Sequence, residues 1–300
     1  MNGFLVVDKP AGMTSHSVVN RVRRLTGEKK AGHTGTLDPF ATGVLPVALG
    51  EATKAIRFLD ESIKTYRAVM RLGVVTDTQD CTGHVLEEFD WHHVTDSALA
   101  TLADRFLGPQ CQVPPMFSAV KQNGVPLYRL ARHGVEVERQ ARQIEIFSLH
   151  IEQVNLPDVT FVVSCSRGTY VRTLAHDMGK EAGCGAHLVE LRRLRSGSFT
   201  ETEAVSLDRL AGMVSQASFA EQLIAPREAL AQLKELTLPA STARKVANGV
   251  MPGIDELTID TEMPTPGERF KLVYENRLLS VAEWPDRAEG ATLRLLRVFN

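Results

Sequence analysis

Residues 31–43 read AGHTGTLDPFATG, and this run governs how the rest of the chain is read. One carboxylate, Asp38, sits among glycines and threonines, with no second acid and no lysine of a nucleotide cradle. Pro39 follows it. Proline has no amide hydrogen and restricts the residue before it, so the chain there is held in a fixed turn. Gly32, Gly35 and Gly43 permit positive φ or the close approach of a large ligand to the backbone. An isolated Asp-Pro is ordinarily a turn or a helix cap.

Outward from this loop the pattern is of short strands and helices. Phe4 to Val7 forms an apolar strand that runs into a turn at Asp8-Lys9-Pro10. Thr14, Ser15 and Ser17 offer N-caps for a helix with Val18, Val22 and Leu25 at helical spacing, ended by Gly27. Ala52, Ala55, Ile56 and Leu59 mark a further short helix. From Thr65 to Leu72 the residues alternate. Tyr66, Ala68, Met70 and Leu72 face one way, and Thr65, Arg67 and Arg71 the other, as in a half-buried strand. Residues 77–83 are a turn-rich loop, and Ser97 to Leu107 a helix closed by Gly108. Val159 to Ser166 alternates again, and 167–170 then turn the chain into a helix with Val171, Leu174, Ala175 and Met178 on its core face. Tyr170 and Arg172 thus lie at a strand-to-helix turn, where side chains commonly line a site. The irregular alternation indicates an α+β fold and not a doubly wound parallel sheet.

Three hundred residues, 43% hydrophobic and 23% charged, suit a globular protein with one large domain and one small. The composition shifts near residue 230. Beyond it come a short helix over 241–247, Asn248-Gly249, and the strand-like runs FKLVY, LLSVAEW and TLRLLRVF, punctuated by Pro264, Pro266, Gly267 and Gly290. These predict a small β-barrel over 231–300 after a main domain over 1–230. No apolar run approaches the roughly 18 residues that span a bilayer. The amino terminus lacks the basic and apolar regions of a signal peptide, so a cytoplasmic protein is expected.

Cys81, Cys111, Cys165 and Cys184 are scattered, and the C-x-x-H spacing of Cys184 and His187 has no second ligand pair nearby, so no metal site is expected. A net charge of −2 argues against a bulk polyanion binder. Local clusters change that picture. Arg21, Arg23, Arg24, Lys29 and Lys30 face only Glu28 across residues 17–30. Lys121, Arg129, Arg132, Arg139 and Arg142 face Glu136 and Glu138, and Arg192, Arg193 and Arg195 form a third group. Each alone reads as a solvated face; together they outline a shaped basic groove.

The whole of residues 31–43 resembles the signature loop of the TruB family of tRNA pseudouridine synthases. The resemblance covers nearly all of residues 3–200. Lys9-Pro10-Ala11-Gly12-Met13-Thr14-Ser15 is similar to the family's KPxGxTS element. Lys64-Thr65-Tyr66, Leu72-Gly73, Thr76-Asp77-Thr78 and Asp80 are similar to its KxYxA…LGxxTxTxD stretch. Gln112 to Pro115, Ser118 to Lys121, Gly124, Tyr128, Ala131-Arg132 and Gly134 resemble the segment, here around 110–142, that clasps the RNA stem-loop. Gly168 to Arg172 and Leu191-Arg192-Arg193 complete the set. The segment after residue 230 resembles, loosely, the PUA-like module of many members.

The resemblance implies a pseudouridine synthase fold, with a mixed, largely antiparallel central sheet flanked by helices and a small C-terminal β-barrel. It implies isomerisation of uridine 55, in the T-loop of tRNA. That reaction breaks N1–C1′, turns the base, rejoins it through C5 and removes the C5 proton. Nothing is oxidised and no group is carried, so no cofactor or metal is required. Asp38 is the expected catalytic carboxylate, attacking C1′ or removing a C2′ proton. Arg172 would pair with it and hold it ionised. Tyr66 would stack on the flipped base and stand nearest the C5 proton. Tyr170 would support the base from the opposite side, with Leu191 packed beside it. His33 would fill the gap that the flipped base leaves. Lys9 and Lys121 are candidates for backbone phosphates. The expected partner is the tRNA T-stem-loop, with no membrane, no obligatory protein partner and a monomeric enzyme. A dyskerin-like, guide-dependent synthase and a non-catalytic tRNA-folding chaperone are the competing readings.

Overall fold

The computed structural model describes residues 1–60, 62–216, 218–257, 264–286 and 292–299. Strand β1 (Gly3–Lys9) enters helix α1 (Ser15–Thr26), where Thr14 accepts a hydrogen bond from the Ser17 amide at 3.0 Å. Gly27, left-handed, ends that helix as its sequence predicts. Then come β2 (Ala31–His33), the Asp38 loop and β3 (Thr42–Leu49). Two 3-10 turns, Gly50–Lys54 and Ile56–Phe58, stand where a short helix is predicted. Next are β4 (Ile63–Leu72), the hairpin of β5 (Val74–Thr76) and β6 (Val85–Glu88), α2 (Asp96–Arg105) and β7 (Gly108–Gln112). An insertion carries β8 (Lys121–Gln122), β9 (Val125–Pro126) and α3 (Leu127–Arg132). The long hairpin of β10 (Arg142–Asn155) and β11 (Asp158–Ser166) leads to α4 (Val171–Glu181), β12 (Ala186–Ser196) and β13 (Phe199–Thr200). Helices α5 (Leu207–Ser215) and α6 (Pro226–Ala229) precede β14 (Lys234–Thr237), α7 (Ala240–Ala247), β15 (Arg269–Tyr274), β16 (Arg277–Glu283) and β17 (Arg294–Val298).

The main sheet runs β1-β3-β12-β4-β11-β10-β7, with β2 beside β3 and β13 beside β12. Only β3 and β12 pair in parallel; every other neighbouring pair is antiparallel. This is the expected mixed, largely antiparallel α+β sheet. Strands β3 and β12 carry no clean alternation and are not predicted as strands. The reason for β3 is burial on both faces. Val44 and Ala48 pack on one side with Phe4 and Val6, while Leu45, Val47 and Leu49 pack on the other with Val18 and Val22 of α1. A third core gathers Tyr66, Met70, Phe161, Leu174 and Leu191 between the sheet and α2 and α4.

The C-terminal strands form a four-stranded sheet, β14-β15-β16-β17, around Phe270, Leu272, Val246 and Trp284. Its described strands stand in an open order, and Gly290 lies outside the described residues. The sheet is joined to the main domain by shared packing. Leu278, Val281 and Phe299 belong to the same core as Phe4, Val44, Ala48 and Phe58.

Candidate active site

The Asp38 loop is a run of polar backbone that must be satisfied where it crosses the sheet. Three buried side chains do this. Lys9, at the end of β1, donates to the carbonyls of Pro10 (2.9 Å) and Pro39 (3.1 Å). Ser15, at the start of α1, accepts from the Leu37 amide (2.8 Å) and donates to its carbonyl (3.2 Å). Arg193, on β12, donates to the carbonyls of Gly35 (3.1 Å), Thr36 (3.4 Å) and Val44 (2.7 Å). Gly43 lets β3 and β12 approach: its φ is +97°, and a Cβ there would lie 2.3 Å from the Arg193 carbonyl oxygen.

Held this way, the loop presents Asp38 to Arg172, whose Nε lies 2.9 Å from Asp38 Oδ2. Arg172 sits in the first turn of α4 and is 2% exposed. Its other nitrogens donate to the Thr78 carbonyl (2.7 Å), Asp80 Oδ2 (3.2 Å) and the Phe117 carbonyl (2.8 Å). The start of α4 is fixed from β7. Gln112 accepts from the Tyr170 amide at 2.8 Å and donates to the Tyr170 carbonyl at 3.1 Å. Burial pushes the Asp38 pKa above the ordinary carboxylate value; Arg172 and Lys9 oppose this, and Asp80 adds to it. A buried guanidinium shared by two carboxylates is therefore the electrostatic centre of the site.

Around this pair opens a cleft of about 930 Å³. It brings together six of the eight residues singled out in the sequence: His33, Asp38, Tyr66, Tyr170, Arg172 and Leu191. Tyr66 projects from β4 and is 7% exposed, and burial raises the pKa of its phenol while Arg193 opposes that rise. Burial likewise raises the Tyr170 phenol. His33, half-buried at the end of β2, has its pKa lowered by burial and then by Arg193, His16 and Lys64, so its ring is neutral at pH 7.

The other two lie elsewhere. Lys9 is 0% exposed and bound to loop carbonyls, so it cannot meet a phosphate from solvent, and that expectation is corrected. Burial pulls its pKa down to about 8. Lys121 is exposed on the insertion and lines a separate cleft of about 520 Å³ with Arg139 and Arg142. The third basic group is also corrected. Arg192 pairs with Asp8 at 3.0 Å and Arg193 is 0% exposed; Arg195 alone is exposed. Cys184 is buried, and His187 Nδ1 lies 2.9 Å from the Val74 carbonyl oxygen.

Two groups stand in the motifs of the sequence, but their roles escape it. Asp80 looks like part of a turn, yet it is 3% exposed, held by Thr78 and Thr82, and grips Arg172. Its signal is an acid flanked by threonines, each positioned to donate a hydroxyl. Arg193 carries a signal too, since it shares the strand period of Leu191, but only if residues 186–196 are read as a strand.

Comparison with known proteins agrees with this geometry. The N-terminal domain model of the TruB family pseudouridylate synthases matches residues 23–171, and that of the tRNA pseudouridylate synthase B C-terminal domain matches 172–243. The chain is 58% identical over its full length to tRNA pseudouridine synthase B of Geotalea uraniireducens, covering 98% of that protein. It is 52% identical to the protein of the same name from Geobacter sulfurreducens, with both chains covered completely. Among solved structures, a Cbf5–Nop10–Gar1 complex contains a chain that superposes with a TM-score of 0.76 at 26% identity, over 99% of this chain and 85% of that one. The Asp38–Arg172 pair at the floor of the cleft thus stands in a protein whose whole length is matched by one group, and the chain belongs to the TruB family of pseudouridylate synthases.

Proposed function

We propose that this protein isomerises uridine to pseudouridine in tRNA, at position 55 of the T-loop, as a cytoplasmic monomer that needs neither guide RNA nor a protein partner. The observation that carries the reading is the 2.9 Å Asp38–Arg172 pair in a 930 Å³ cleft. Ligand clefts are ordinarily about 300–1,000 Å³, so this one suits an extruded nucleotide with its flanking backbone. Names of relatives over the full chain length support tRNA as the substrate.

In this reading Asp38 acts at the sugar, on C1′ or on the C2′ proton, while N1–C1′ breaks. Arg172 holds the carboxylate ionised and aimed, because the Asp80, Thr78 and Phe117 oxygens leave the guanidinium no freedom to turn. Tyr66 stacks on the turned base and stands by C5, Tyr170 and Leu191 close the other side, and neutral His33 occupies the gap in the loop. Lys121 and its basic neighbours on the insertion, residues 110–142, clasp the phosphates of the stem. Residues 231–300 form a PUA-like RNA-binding domain beside the catalytic 1–230.

The test is purified full-length protein on an unmodified tRNA transcript without guide RNA, with Asp38→Asn in parallel. Pseudouridine at one T-loop site, absent with Asp38→Asn although tRNA binding stays within about threefold, supports the reading. Binding without product in the parent protein would instead favour a folding chaperone. Product only with guide RNA would favour a guide-dependent synthase.

A further inference from the structure

Arg193 is a fully buried cation to which the chemistry above gives no part. A guanidinium is seldom taken out of water without several partners. Here the partners are main-chain. Nη2 and Nη1 donate to Gly35 and Thr36, which precede Asp38, and Nε donates to Val44, which follows it. One side chain therefore grips both arms of the catalytic loop. Only a planar fork can do that, since an ammonium is a single point at the end of a flexible stem.

The same guanidinium has a second neighbour. On the sheet, Arg193 of β12 stands directly opposite Tyr66 of β4. Directly opposed residues on adjacent strands present side chains to the same face within contact distance. Both are buried, and the charge of Arg193 bears on the Tyr66 phenol against the effect of burial. Three of the five N–H bonds of the guanidinium go to carbonyls of the loop and of the start of β3, and a hydrogen bond from Arg193 to the Tyr66 phenol is among the influences that oppose the effect of burial on it.

We propose that Arg193 is a positioning residue that fixes the Asp38 loop and the Tyr66 phenol in one arrangement, so that the group acting at the sugar and the group facing the base keep a constant separation. The inference rests on the roles given to Asp38 and Tyr66 above. Isomerisation imposes a need for such a tie. The base leaves C1′ through N1 and must return to the same carbon through C5. A small drift of the loop against the base-stacking ring would misalign the second bond after the first had broken. Misplacement by 1 Å can cost on the order of 10²-fold in rate.

Arg193→Lys keeps the charge but cannot hold three carbonyls and a phenol together. In the full chain, kcat on tRNA transcript should fall on the order of 10²-fold with KM within about threefold. In a Tyr66→Phe background the same change should cost about tenfold less, because the partner it aligns is gone. Equal costs in both backgrounds would overturn the proposal. Should Arg193→Lys not fold, Tyr66→Phe alone decides. Losing the phenol should loosen the fork, so the amides of residues 35–38 should exchange with deuterium at least about threefold faster than in the parent protein. Unchanged exchange there would equally overturn the proposal. Failure of the underlying reading looks different: Tyr66→Phe would then release tritium from C5-labelled uridine at the parent rate, whatever the loop amides do.

Discussion

At the scale of single residues, the proposed chemistry depends on how one half-buried carboxylate is kept charged. Burial raises the Asp38 pKa, and Arg172 is the strongest influence opposing it. In the proposed mechanism the ionised form is the active one, so activity is expected above that pKa and should be lost as pH falls through it. Arg172→Met removes the opposing charge. Turnover should drop more than about tenfold, a loss of roughly 1.4 kcal/mol or more, and the acid limb of the pH–rate profile should move to higher pH. A full profile of kcat against pH for both proteins checks the sign; an unmoved limb would mean that Arg172 does not tune Asp38. Asp38 and Arg172 were legible in the sequence because each lies in a compact local signature. Asp80 and Arg193 lie in quoted motifs too, but what they hold was not legible, because their partners are far along the chain: Arg172 lies 92 residues from Asp80, and Arg193 meets Val44 across 149. Lys9 misled for a related reason. A lysine beside a proline turn looks like a surface cation, and only the fold reveals that the turn closes over it.

At the scale of elements, the decisive junction is the parallel pairing within the main sheet, β3 with β12. Gly43→Ala would place a methyl group against the Arg193 carbonyl and force an L side chain into a left-handed conformation. Strain of that kind alone costs about 1–3 kcal/mol, before the clash is relieved by parting the strands. We expect a lower midpoint of denaturant unfolding and loss of activity even where the variant remains folded. The insertion offers a second test. Lys121, Arg129, Arg132 and Arg142 are exposed on it, and Arg132 lies 5.6 Å from the ring centre of Tyr128 at the edge of the cleft. Reversing these charges should weaken tRNA binding and flatten the log–log salt dependence by about one unit of slope per lost phosphate contact. Turnover at saturating tRNA should survive. Strands with one face less covered than the other, such as β4 and β11, were readable by period; β3 was hidden because both its faces are covered.

At the scale of the molecule, the two sheets share a core, so the shift of composition near residue 230 marks a joint and not a free hinge. Lys54 donates to the Val298 carbonyl at 3.1 Å and Gln232 to the Phe58 carbonyl at 2.7 Å, beside the contacts of Leu278, Val281 and Phe299. The sequence suggests that a fragment ending near 230 folds alone. The shared core leads to a different expectation: that fragment exposes Phe4, Val44, Ala48 and Phe58 to water, and its Tm should fall by about 10 °C or more. A scan of both proteins measures the difference, and an equal Tm would restore the view of an independent appendage. The span of the Arg193 bonds carries a further consequence, one of timing. Domains fold as they leave the ribosome, from the amino end first. The Asp38 loop emerges early, but the strand that tightens it ends at Ser196. Until that strand has been made, a growing chain holds its carboxylate on a slack tether. On the role proposed for Arg193, half-made copies, surrounded by uridine-bearing RNA, should stay silent until the strand that tightens the loop is in place.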